Sequence, residues 1–203
     1  MRITPKQRGL SLLEVLVGAA LAGLLTTVLL ALWMSVGRYA LLTEQRINIR
    51  DLATQIFARI EVDTQQSTLA AIDITTNGDD TRMSLQKFTG AAEDGAINWT
   101  PEAEIYNFSA TEKRLTNWES VVRTDSPPLK RPKTLTPEEI LAFQPEEGKA
   151  LRTWPAVEKA TFHCSSGRPV LTVTLALAFK GMREREHRFE TQQSFALLNG
   201  YEP

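Results

Sequence analysis

Apolar positions fall into three regimes along this chain of 203 residues. From Leu10 to Gly37 they are nearly continuous, with Glu14 as the one ionisable residue, and Val15–Val36 is a run of 22 residues without a charge. A helix of that length rises roughly 33 Å, enough to cross a bilayer core. From Arg38 onward the apolar residues become periodic. Leu42, Ile49, Leu52, Ile56 and Ile60 recur mostly at three- and four-residue steps, and neither Pro nor Gly occurs between Arg38 and Gly78. This predicts one continuous helix from about Leu10 to about Gln66, roughly 85 Å long, apolar all round in its first half and striped in its second. A stripe implies that one face packs on a domain.

Beyond Thr68 the period drops to two. In "PVLTVTLALAF" the residues Leu171, Val173, Leu175, Leu177 and Phe179 share one face, which predicts a strand buried on one side. It follows "VEKATFHC" across Ser165-Ser166-Gly167 and precedes "EREHRFETQQSFALLNG" across Lys180-Gly181, so three antiparallel strands are expected at the end of the chain. Further strands are expected at Arg82–Phe88, Glu104–Ser109 and Leu115–Arg123. Five of the ten prolines crowd into Pro127–Pro145, an irregular loop in which Thr136-Pro137-Glu138-Glu139 reads as the start of a short capped helix. The expected class is α+β, a long N-terminal helix packed on an antiparallel β-sheet domain.

The formal net charge of −1 conceals an asymmetry. Arg2, Lys6 and Arg8 stand in the first nine residues with no acid beside them. Without them 20 Lys and Arg face 24 Asp and Glu, a balance near −4. Basic residues just before an apolar span hold that end in the cytoplasm and send the other end out. The larger part of the chain is therefore expected outside the inner membrane, and no basic surface for nucleic acid is expected. Cys164 is the single cysteine, which rules out an intrachain disulfide.

Glu14 is the residue to explain. A secretory signal peptide accounts for it poorly, because the apolar run exceeds the usual core of such peptides and is interrupted by a carboxylate. A plain membrane anchor accounts for it in part. Ser11-Leu12-Leu13-Glu14 has the S-x-x-E spacing of a capping box, and an acid sits well at the positive end of a helix dipole. Neither explains the basic stub ending in Gly9.

All of these features coincide in "KQRGLSLLEVLVGAALAGLLTTVLLALW", which resembles the type IV pilin-like family with its class III signal peptide. Gly9 matches the last leader residue, Leu10 the first mature residue and Glu14 the fifth. The family more often has Phe where this chain has Leu10, and many major pilins have Pro where it has Ala31, which points away from a bulk pilus subunit. The resemblance implies a leader at residues 1–9, a transmembrane helix at 10–37, an amphipathic continuation at 38–68 and a periplasmic β-rich domain at 69–203. It also implies cleavage between Gly9 and Leu10 by prepilin peptidase, N-methylation of Leu10, and Glu14 as a contact in subunit assembly. Cleavage turns a neutral amide into an amine with a reference pKa of about 7.7–8.0, a cation able to pair with Glu14 of a neighbouring subunit. A four-residue separation also allows that pair within one chain.

The segments "AEIYNFSATEKRLTNWE", "TDSPP" and "SFALLNG" further resemble the J-type minor pseudopilins of type II secretion and, equally, the W-type minor pilins. The larger K-type tip subunits typically lack the membrane glutamate. The implied partners are prepilin peptidase, other minor and major pilins or pseudopilins, and an inner-membrane assembly platform. The expected role is a minor pseudopilin at or near the tip of a periplasmic pseudopilus. Its alternatives are a minor pilin that primes a type IV pilus and, from another class, an anchored periplasmic binding or enzyme domain.

No catalytic constellation, cofactor or metal site is expected. His163 and Cys164 are strand neighbours that point to opposite faces, and His187 is the other histidine. Asp79-Asp80 reads as a polar turn, since a calcium site needs six or more oxygens. "LKRPK" at 129–133 is soon followed by Glu138, Glu139, Glu146 and Glu147, as in a solvated mixed-charge loop, and Arg183–Arg188 reads as a hairpin tip. Trp33 and Tyr39 stand where a membrane helix leaves the bilayer.

Overall fold

A computed structural model describes residues 11–91, 97–121, 132, 135–143, 149–165, 168–180 and 186–197. The chain forms two compact units, Met1–Gln45 and Arg46–Pro203. The expected helix is present as α1, Leu12–Thr64, 53 residues. In the first unit it is apolar on every side, and no residue of its most apolar stretch is covered by other parts of the chain. Trp33 and Tyr39 are 78% and 72% exposed. A helix of this length and composition is able to cross a membrane.

In the second unit the stripe is buried. Ile49, Ala53, Ile56, Phe57 and Ile60 enter the core, joined by the half-buried Leu52. Past Thr64 the chain hooks onto the sheet. Ser67 Oγ donates to the Gln86 carbonyl at 2.9 Å, and the Phe88 N–H donates to the Gln66 carbonyl at 2.9 Å.

Five strands form an antiparallel meander: β1 (Ile72–Asn77), β2 (Asp80–Ala91), β3 (Ile97–Ser109), β4 (Arg114–Val121) and β5 (Lys149–Pro155). The last three, β6 (Val157–Cys164), β7 (Val170–Lys180) and β8 (Glu186–Ala196), form the expected antiparallel trio. β1 and β5 are additions to the predicted strands. β1 is short and mostly half-buried or exposed, and β5 is an outer strand, so neither shows a clean alternation. On β7 the predicted face is buried at Leu171, Val173, Leu175 and Leu177, while Phe179 is half-buried. The expected turn residues Ser166, Gly167 and Gly181, and the proline-rich stretch apart from Pro132 and the part around α2, lie outside the described residues.

Period-two alternation gives β3 two apolar faces. Tyr106 and Phe108 point into the main core with Met83, Leu85, Leu115, Trp154 and the inner side of β6–β8. Ala103 and Ile105 face a second, smaller cluster with Leu135 and Ile140. Ile140 belongs to α2 (Pro137–Ala142), whose capping box is formed as read: Glu139 N–H donates to Thr136 Oγ1, and Thr136 N–H to Glu139 Oε2. Arg82 on β2 donates to the carbonyls of Ile140 and Leu141 at 2.8 and 3.1 Å, serving the end of a helix that carries no basic residue in its last turn.

Candidate functional site

Ser11 and Glu14 stand together at the start of α1. Glu14 Oε2 accepts the Ser11 N–H at 2.9 Å and the Ser11 hydroxyl at 3.1 Å, and the Glu14 N–H donates to Ser11 Oγ at 3.3 Å. The carboxylate thus satisfies donors at a helix start and lies at the positive end of the peptide dipoles. Glu14 is exposed, and its Oε1 has no partner among the described residues. One oxygen is engaged locally and the other is open to a donor from elsewhere. Gly9 and Leu10, the cleavage and methylation positions, lie outside the described residues.

Residues 4–30 match the family described as the prokaryotic N-terminal methylation motif. The N-terminal segment is type IV pilin-like. The matched segment contains Gly9, Leu10 and Glu14 at the expected spacing. No curated protein and no solved structure matches the chain. The motif implies processing by prepilin peptidase and assembly with other pilins, and together with the apolar helix it fits a membrane-anchored protein.

The second unit contains an ionisable cluster that was not among the sequence-based expectations. Arg59 and Asp63 come from α1, Lys87 from β2, Glu104 and Tyr106 from β3 and Asn117 from β4. Asp63 is fully buried. It lies 2.6 Å from Lys87 Nζ and 3.1 Å from Arg59 Nε, and it accepts the Tyr106 hydroxyl. Glu104 is approached by Lys87, by Arg59 Nη2 at 3.0 Å and by Asn117 Nδ2 at 3.0 Å. Two acids therefore face two cations.

Burial raises the Asp63 pKa against the opposing hydrogen bonds from Lys87 and Tyr106, and proximity to Glu104 raises it further. Burial acts on Glu104 in the same direction, but hydrogen bonding with Lys87, Asp63 and Asn117 prevails and holds its carboxyl below the usual range. The Tyr106 phenol is pushed up, first by burial and then by the charge of Asp63. One local signal existed: Asp63 lies seven residues after Ile56, on the stripe that enters the core, where a lone acid demands partners. Arg59, four residues earlier, is within helical spacing, but Lys87 and Tyr106 lie 24 and 43 residues further along the chain, where no spacing rule reaches.

The remaining candidates take ordinary structural positions. His163 is exposed and Cys164 half-buried on β6, with the Cys164 thiol raised by burial and by Asp73. His187 stacks on Phe179 at 4.9 Å. Asp80 Oδ1 accepts the Ala110 N–H at 2.7 Å, which ties the β1–β2 turn to the end of β3.

Proposed function

We propose that this chain is a minor pseudopilin of the J type, cut between Gly9 and Leu10, methylated on Leu10 and assembled at or near the tip of a periplasmic pseudopilus for protein export. Its role is structural, and the chemistry is done to it rather than by it. The methylation motif at residues 4–30, leading into an apolar helix whose later turns enter an antiparallel domain, carries this reading. The open oxygen of Glu14 supports it further. An unpaired carboxylate is costly in an apolar medium, and the amine freed by cleavage on a neighbouring subunit supplies the missing cation.

The test is co-expression with a prepilin peptidase, followed by mass spectrometry of the intact chain. Loss of residues 1–9 with one added methyl group is the expected result. A chain retaining its leader in the presence of active peptidase would favour an anchored domain of another class. Genes for a secretin and an export ATPase beside this one would favour the pseudopilus. A retraction ATPase and a major pilin would favour the minor pilin that primes a type IV pilus.

A further inference from the structure

A basic, aromatic-floored groove lies within the second unit, where Arg46, Ile49 and Arg50 of α1 meet Phe179 of β7 and Phe189 of β8. Its volume is about 190 Å³, and His187 and Arg188 complete its lining. The Arg50 guanidinium sits over the Phe189 ring at 6.0 Å, and His187 stacks on Phe179. The first of these contacts orients the Arg50 guanidinium over an apolar floor. Arg188 Nε is 3.7 Å from Glu158 Oε2, and Glu158 is shared with Lys113. Arg46 and Arg50 have no carboxylate within ion-pair distance among the described residues. The nearby helix acids, Glu44 and Asp51, project about 100° or more away from both arginines around the helix. Positive charge is thus concentrated here in a chain whose overall balance is slightly acidic.

We infer that this groove binds the phosphate of an anionic lipid headgroup. Guanidinium groups supply charge-assisted donors for phosphate oxygens, and the ring faces and Ile49 suit the glycerol and upper acyl carbons that a free phosphate lacks. Eight residues, 38–45, lie between Gly37, the end of the apolar span, and Arg46. That much chain reaches at most about 30 Å, so the groove is tethered within that reach of the end of the span. Basic side chains held near an anionic leaflet are drawn to it. Such binding depends on residues 10–37 spanning a membrane and does not require the assembly role, so either can fail without the other.

The full chain in a neutral detergent, titrated with short-chain phosphatidylglycerol or phosphatidylcholine and read by native mass spectrometry, tests this. Phosphatidylglycerol is expected to bind at least about fivefold more tightly. The exposed pair Arg46→Glu/Arg50→Glu should abolish that preference. Arg152→Glu/Lys159→Glu, with the same change in charge at other exposed positions, should retain it. Circular dichroism establishes that each variant folds. Equal binding of the two lipids, or a preference that survives the Arg46/Arg50 exchange, overturns the inference. So does inorganic phosphate that competes as strongly as phosphatidylglycerol, which would mark a free-phosphate site. Capture of an acidic partner chain that depends on Arg46 and Arg50, without any lipid preference, overturns it in favour of a protein contact.

Discussion

Glu14 and Asp63 are acids on the same helix, each set where apolar residues are expected, and the chain treats them in opposite ways. Glu14 finds its partners three residues away, leaves one oxygen open and remains exposed. Asp63 is sealed in the core with Arg59, Lys87 and Tyr106 around it: Oδ2 accepts the Tyr106 hydroxyl, and Oδ1 lies within ion-pair distance of Lys87 without a well-directed hydrogen bond. A carboxylate with spare capacity at a surface suits an intermolecular contact. One that is buried between two cations fixes a fold. The difference lies in how many donors each acid already has.

Removing each acid should separate the two roles. Glu14→Ala is expected to reduce incorporation into filaments to background while leaving cleavage after Gly9 intact, as read by crosslinking of the chain to other pseudopilins and immunoblotting beside N-terminal mass. Ser11→Ala sharpens this result. It costs the helix about 1 kcal/mol of capping but keeps the carboxylate, so incorporation should persist. Filaments that contain the Glu14→Ala chain at normal levels would reduce Glu14 to a cap.

Asp63→Ala should act on stability instead. Truncation leaves the half-buried Lys87 and Arg59 with Glu104 as their remaining counter-charge in the cluster and takes the acceptor from the buried Tyr106 hydroxyl, at a cost of about 1–3 kcal/mol. The urea midpoint of the full chain in detergent, followed by tryptophan fluorescence, should fall accordingly. An unchanged midpoint would show that the cluster contributes nothing net to stability.

The smallest effect concerns pH. The Glu104 pKa is lowered in the folded protein from its ordinary 4.5, so its contribution is fully present above that value and fades as pH falls through the lower folded one. Asp63, raised from 3.8, has the opposite sign: its protonated form is favoured by folding, and stability declines as pH climbs through the interval between its unfolded and folded values. Glu104→Gln should therefore flatten the loss of stability on acidification below about pH 4.5, measured as the urea midpoint against pH. A steeper acid limb in that variant would reverse the assignment.

The same two acids explain what was readable from sequence. The helix, its change from uniform to striped, the β7 alternation and both capping boxes rest on spacings of two to four residues. All of them are present, with α1 ending at Thr64 rather than Gln66. β1 and β5 carry little local pattern because pairing with β2 and β4 defines them. The Arg59–Asp63–Lys87–Glu104 cluster and the groove at Arg46 and Arg50 depend on which strands the meander brings beside the helix, which no local rule states. Glu14 was legible because its motif is local, whereas Leu10, proposed to supply its partner amine, lies outside the described residues.

Within the second unit, the last turns of α1 grip the sheet in several ways at once. Apolar ridges, ion pairs from Arg59 and Asp63, and the hook at Gln66 and Ser67 all act across the same few turns. Tension drawn along that segment would load these attachments side by side, in shear, so that none could be peeled away alone. A tether of this kind suits the assembly role proposed above.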